Sequence, residues 1–149
     1  MRYDHRWLGA AALIVGLQSA ACHRAPAGTP ASAKPARVEH IEGTKVSRVT
    51  LTPRAAERLD IKQDVVRETR VKRSGTVRKV VSYAAVLYDA RGDTWVYTSP
   101  EPLVFVRQRI KVDYIEGDRA VLLDGPSAGT RVVTVGGAEL FGAEFEIGH

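Results

Sequence analysis

The chain has 149 residues, the length of one ordinary domain of roughly 100–200 residues. It carries 22 Lys and Arg against 17 Asp and Glu, a formal charge of +5, and its only cysteine is Cys22, so an internal disulfide is excluded. A basic balance is typical of proteins that bind nucleic acid, an anionic lipid surface or an acidic partner, although a merely solvated surface is the simpler alternative.

The first 22 residues have the order of a secretory signal. Arg2 and Arg6 precede an apolar run, residues 7–17, and small residues then lead to Cys22. The run is shorter than the roughly 20 apolar residues of a transmembrane helix. Ser19-Ala20-Ala21-Cys22 resembles a lipobox, in which the cysteine is diacylated, although leucine is usual at the place of Ser19. We therefore expect a lipid-anchored protein on the periplasmic side of the cell envelope; ordinary cleavage with a free thiol is the alternative. Export argues against nucleic acid as a partner.

Residues 23–40 are interpreted as an Ala/Pro-rich flexible tether. They contain Pro26, Pro30 and Pro35 and lack apolar periodicity, so they are predicted to bury too little surface to fold. Such a segment would hold a domain away from the membrane.

Residues 41–149 are predicted to form a small β-barrel or sandwich of short, mostly antiparallel strands with one short helix. Thr52 is a good helix cap and Pro53 suits a first helical position, so we expect a helix over 54–59. Gly92 and Gly117 lie in predicted tight turns. Short strands at intervals of about 8–12 residues are typical of small all-β domains. Strands are predicted over 46–51, 61–71, 76–88, 95–98, 103–115, 120–123 and 131–135.

The longest strand has the clearest pattern. Apolar and charged residues alternate over 103–115, which predicts one face on the core and one in water. The predicted core face consists of Val104, Val106, Ile110, Val112 and Tyr114. The predicted water face consists of Arg107, Arg109, Lys111 and Asp113. Trp95, Tyr97 and Phe105 are also expected in the core.

Three segments of the chain together are similar to one known protein family. The first is Val49-Thr50-Leu51-Thr52-Pro53, continued by residues 55–61, which resembles the opening of the membrane-proximal domain of periplasmic adaptor proteins, or membrane fusion proteins, of RND-type efflux systems. Residues 84–89 with Trp95-Val96-Tyr97 resemble the strand pair that re-enters it, and residues 122–136 its closing segment. The resemblance implies a β-rich domain that sits on an inner-membrane RND-type pump or on full-length adaptors.

One departure from that family is large. Full-length adaptors insert a lipoyl-like domain and a long α-helical hairpin between the two halves, whereas here Val71 and Val77 are separated by five residues. The hairpin engages the outer-membrane channel in that family. The resemblance therefore implies an accessory or truncated adaptor rather than a bridge between two membranes.

No catalytic, cofactor or metal site is predicted. The four histidines, His5, His23, His40 and His149, lie outside the predicted strands and share no ligand spacing. Gly136-Gly137 lacks the basic residue of a phosphate-binding loop and is interpreted as a turn.

Six basic residues surround the shortened connection and form the candidate membrane- or partner-contact site. Each charge near an anionic surface contributes about 1 kcal/mol. The alternative is a charged strand end that prevents edge-to-edge pairing. The six are Arg67, Arg70, Lys72, Arg73, Arg78 and Lys79.

The leading hypothesis is thus a non-enzymatic envelope lipoprotein that docks on a transporter or on a full-length adaptor. The main alternative is a small-ligand-binding β-barrel lipoprotein with a pocket walled by residues such as Trp95 and Tyr114. A hydrolase and a gene fragment without function are further alternatives.

Overall fold

A computed structural model of the protein describes residues 34–146. Within that range the chain forms ten strands and two α-helices, and a one-turn 3₁₀ helix at Tyr83–Ala85 lies between β5 and β6. The elements in chain order are β1 (Ala36–His40), β2 (Ser47–Leu51), α1 (Pro53–Arg58), β3 (Lys62–Val65), β4 (Arg67–Arg70), β5 (Val77–Ser82), β6 (Leu87–Tyr88), β7 (Thr94–Glu101), β8 (Val104–Glu116), β9 (Arg119–Asp124), β10 (Arg131–Val135) and α2 (Gly137–Glu144).

The predicted fold class is confirmed, because the structure is mainly β and its strand pairs are antiparallel. The strands follow the order β3-β10-β7-β8-β9-β5-β4; β2 pairs with both β1 and β8, and β6 pairs with β7. The sheet curls into a half-barrel.

Strand β8 is the centre of this sheet. Its first half pairs with β7 and β2, and its second half pairs with β9. The β8–β9 register shifts between Lys111 and Val112 and again between Val112 and Tyr114. Such irregularities bend and twist a strand, so one long strand can belong to both parts of a curled sheet.

Both faces of the central strands are buried. Neighbouring residues of a strand point to opposite faces, and Val96 and Val132 belong to one core cluster whereas Tyr97 and Val133 belong to another. The first cluster includes residues of β5 and β9, and the second includes residues of α1 and α2. A third, smaller cluster contains Val71, Val80 and Val121 on the β4–β5 side.

Burial of both faces corrects the prediction for β8. Arg107 was expected in water, but it is only 6% exposed, because it shares the face of Phe105, which the second core cluster covers. The predicted core residues Val104 and Val106 are only half-buried, whereas Ile110 is buried as expected.

The local predictions around α1 are confirmed. Thr52 has extended backbone angles, and its side-chain oxygen accepts a hydrogen bond from the Ala55 N–H at 3.2 Å. Pro53 occupies the first helical position, where the absence of an N–H costs nothing. Ala55 faces the second core cluster.

The predicted end of the tether at His40 is wrong. Residues 36–40 form β1, which pairs with β2 from Ala36↔Leu51 to His40↔Ser47. Their composition gives no strand signal, and the free edge of β2 supplies the pairing. Residues 23–33 of the predicted tether lie outside the described part of the chain.

Helix α2 was not predicted, because Gly136-Gly137 was interpreted as a turn. Gly136 takes φ +90°, a conformation that glycine adopts readily, and immediately precedes the first helical residue. The segment predicted as one strand over 76–88 also differs, because the 3₁₀ turn at Tyr83–Ala85 separates β5 from β6.

Candidate interaction surface and buried ion pair

The candidate basic residues lie on one hairpin formed by β4 and β5. Its ladder runs regularly from Arg67↔Val80 to Arg70↔Val77. The connecting turn is closed by hydrogen bonds from the Val71 N–H to the Thr76 carbonyl and from the Gly75 N–H to the Val71 carbonyl. Gly75 takes φ +66°. The connection is therefore a closed, hydrogen-bonded turn.

The hairpin brings the six basic side chains together but gives them different partners. Arg67 forms an ion pair with Asp64 at 2.6 Å. Arg70 and Lys79 donate to the carbonyl oxygens of Gly75 and Gly125, both at 2.5 Å. The other contacts are Arg78 Nε to Thr76 Oγ1 at 3.3 Å and the Arg73 guanidinium 5.0 Å from the centre of the Tyr114 ring.

A second polar cluster, missed by the sequence interpretation, lies in the core between the sheet and α2. Arg107 donates from Nε to Oε2 of Glu144 at 3.0 Å and from Nη2 to Oε1 at 3.3 Å. The side chains are 5% and 2% exposed respectively. The Tyr97 hydroxyl donates to Oε2, and the Ser47 N–H donates to Oε1 at 3.1 Å. Both carboxylate oxygens of Glu144 are thus satisfied.

Aromatic rings surround the Arg107 guanidinium. Its central carbon lies 4.1 Å from the centre of a Trp95 ring, 5.0 Å from that of Phe145 and 5.5 Å from that of Phe141. Cation–π attraction strengthens when the cation is desolvated. The alternating pattern of the strand does not predict that Arg107 is buried. The only sequence feature that points to it is the presence of Trp95 and Tyr97 on the neighbouring predicted strand.

The pKa of the Tyr97 hydroxyl predicts how the stability of the protein depends on pH. Burial first, and then the hydrogen bond to Glu144, raise the pKa of the Tyr97 hydroxyl above its ordinary value of 10.0. The folded state therefore holds this proton more tightly than the unfolded state. The resulting stabilisation is complete below about pH 10 and is lost as the pH rises above it, by about 1.4 kcal/mol per pH unit.

We expect Tyr97→Phe to remove this alkaline loss. The measurement is the free energy of unfolding between pH 9 and pH 11 (about one unit on either side of the ordinary pKa) for the wild type and the variant. The variant is less stable at neutral pH by about 1 kcal/mol for the lost hydrogen bond, and its stability falls less steeply. Equal slopes for the two proteins would contradict the assignment.

The pocket expected for a ligand-binding barrel is not formed by Trp95 and Tyr114. The Trp95 ring is covered by Arg107, whereas Tyr114 packs with the third core cluster. Trp95 pairs with Arg109, five residues along β8 from Tyr114, or about 17 Å. An open groove of about 680 Å³ does lie beside β8, and Arg109 and Asp93 on its wall form an ion pair with each other.

The predicted lipidation site, Cys22, lies outside the residues that the structure describes. Between residues 34 and 146 no group of three or more His, Cys, Asp and Glu side chains is arranged to hold a metal ion. Over the same range no helix has the length and apolar character needed to cross a membrane.

Comparisons of the chain with family models, with curated proteins and with solved structures found no match.

Proposed function

We propose that the chain is a non-enzymatic lipoprotein of the cell envelope that acts as an accessory, adaptor-like module. It docks on a membrane transporter of the RND type or on a full-length periplasmic adaptor. The support is the resemblance of residues 45–142 to the membrane-proximal domain of adaptors, together with a β-rich fold in which the second and third resembling segments meet where β7 pairs with β10.

The observation that carries the proposal is the closed β4–β5 hairpin. In the adaptors that the sequence resembles, two further domains are inserted at this point of the chain. Here the ladder continues to the pair Arg70↔Val77, and the turn is hydrogen-bonded. Val71, 3% exposed, packs with Val80 and Val121 beneath the turn. The domain therefore has its own core at the place where an adaptor would be interrupted.

A closed hairpin favours docking over bridging. The parts that reach an outer-membrane channel in full-length adaptors have no counterpart in this connection of five residues. What remains of the chain resembles the domain that sits on the inner-membrane pump in that family. The chain would occupy or stabilise a docking position on the transporter or on a full-length adaptor.

Crosslinking in the native envelope tests this function. We expect a tagged full-length chain, crosslinked in intact cells and identified with its partners by mass spectrometry, to recover a transporter or a full-length adaptor. A matched Cys22→Ser chain, which cannot be acylated, reports the contribution of the anchor. We expect a several-fold lower recovery of the same partner, because tethering raises the effective concentration.

Recovery of the wild-type chain without any transporter or adaptor would contradict the docking function. Recovery of a small ligand instead would favour the β-barrel lipoprotein, for which the groove beside β8 is one candidate site.

A further inference from the structure

The positive charge of the protein is concentrated in a single hairpin. The chain contains 22 Lys and Arg and 17 Asp and Glu. Residues 67–82 contain six of the former and one of the latter, so the rest of the chain contains sixteen of each. The formal charge of +5 thus equals the formal charge of this hairpin.

Among the described residues, ion pairing accounts for one of these six cations. Arg67 is paired with Asp64. In the region from residue 34 to residue 146, the other five have no carboxylate oxygen within 4.0 Å. Glu68 stands opposite Lys79 in the ladder but is not among their ion partners. The five are Arg70, Lys72, Arg73, Arg78 and Lys79.

Protection of a sheet edge accounts for one of these five cations, Arg70, as well as for the paired Arg67. Strand β4 ends the strand order, so Arg67 and Arg70 lie on an edge where charge discourages edge-to-edge pairing. Lys72 and Arg73 lie in the turn instead. Arg78 and Lys79 lie on β5, which is paired with β4 on one side and β9 on the other. These four cations have no counter-ion among residues 34–146, although Arg78 and Lys79 donate hydrogen bonds to Thr76 and Gly125.

Exposed aliphatic side chains lie beside the cations. Val77 is 55% exposed and Leu123 is 43% exposed, and both line one groove of about 420 Å³ with Arg78 and Lys79. Aliphatic and basic side chains on the same surface are typical of contact with the interfacial zone of a bilayer, where cations meet phosphates and aliphatic groups reach the acyl boundary.

The attachment point of the chain allows this surface to reach a membrane. Thirteen residues separate Cys22 from β1 at Ala36, and they span at most about 45 Å. A domain of this size has a radius of gyration of about 13 Å, so any of its faces can approach the bilayer. Anchoring at Cys22 depends on the proposed lipoprotein function, whereas the charge of the hairpin does not.

We propose that the tip of the β4–β5 hairpin, residues 70–79 together with Leu123, binds the phosphate headgroups of an anionic phospholipid surface. The cations are distributed over the turn and both faces of the hairpin. This arrangement suits contact with a plane of phosphates better than binding to a single acidic site on a partner protein. An acidic protein is the competing occupant, and the experiment separates the two.

The experiment measures hydrogen exchange of the full-length chain with two kinds of vesicle. One kind is phosphatidylcholine alone, and the other contains about 30 mol% phosphatidylglycerol, both at about 0.1 M salt. We expect exchange across residues 70–79 to slow about tenfold or more with the anionic vesicles only, and the protection to disappear at about 0.5 M salt. Co-flotation with the phosphatidylcholine vesicles reports the lipid anchor separately.

A matched pair of double variants tests the residues. Lys72→Gln with Arg73→Gln removes two exposed turn cations and is expected to weaken the local association about 25-fold, or about fivefold per charge. Arg54→Gln with Arg58→Gln removes two exposed cations from α1, which packs on a different core cluster. We expect this control to change the protection less than twofold.

Equal exchange with the two vesicle types would overturn the proposal, as would equal losses in the two double variants. Protection of residues 70–79 by envelope proteins but not by the anionic vesicles would overturn the lipid assignment in favour of an acidic protein. The crosslinking result for a transporter is independent of all these outcomes.

Discussion

Glu144→Gln is expected to lower the free energy of unfolding by about 3–5 kcal/mol, the usual consequence of removing one member of a buried ion pair. The substitution keeps the shape of the side chain but leaves the Arg107 guanidinium charged and 5% exposed without a counter-ion. The new amide also places an N–H₂ group near donors, because the carboxylate now accepts from Ser47, Tyr97 and Arg107. Urea and thermal unfolding of the purified chain measure the loss.

Glu139→Gln is the matched control on the same helix. Glu139 is exposed in the first turn of α2, so only a few tenths of a kcal/mol of favourable helix-dipole interaction are at stake. A double variant, Arg107→Met with Glu144→Leu, removes both charges. We expect it to be more stable than Glu144→Gln, because apolar replacement of a whole buried pair is often neutral or stabilising. A loss below about 1 kcal/mol for Glu144→Gln would contradict the buried pair.

Leu140→Ala is expected to cost about 3–4 kcal/mol, within the range for a fully buried leucine. Leu140 is 0% exposed and belongs to the second core cluster with Val49, Tyr97 and Phe105. Truncation leaves a cavity between α2 and the sheet, because helix α2 packs against β1, β2 and β7 and the close-packed surroundings relax only partly. The same unfolding measurements apply.

Leu123→Ala provides the comparison for this prediction. The substitution is chemically identical, but Leu123 is 43% exposed, so it loses much less buried area and is expected to cost under about 1 kcal/mol. Similar losses at the two positions would show that α2 does not pack on the sheet as described. A large loss at Leu140 alone would establish the C-terminal helix as part of the core.

The candidate interaction surface was partly predictable. Six basic residues around a glycine-containing connection between two β-branched segments indicate a charged hairpin, and the structure places them on one. The different surroundings of these residues could be seen only in the structure. Arg67 is paired with Asp64, and Arg70 lies on an edge. Arg78 and Lys79 lie on an inner strand. Which strands flank β5 depends on β9, about 40 residues further along the chain.

Features that depend on neighbouring residues could be predicted from the sequence. The cap and first turn of α1, the turns at Gly92 and Gly117, and strands such as β10 follow from side-chain chemistry and two-residue periodicity within a few positions. The fold class follows from the same local signals, because many short strands without long helices leave few other arrangements.

What covers each face of the sheet depends on contacts between distant parts of the chain, so it could not be predicted. The alternation in β8 specifies two faces but not their surroundings, and α2 covers the face that carries Arg107. The contacts responsible are distant in sequence: Arg107 and Glu144 are 37 residues apart, and Ser47 and Glu144 are 97 residues apart. Strand β1 likewise depends on the free edge of β2. Such pairings depend on which surfaces meet when the chain folds, and that choice leaves no local pattern.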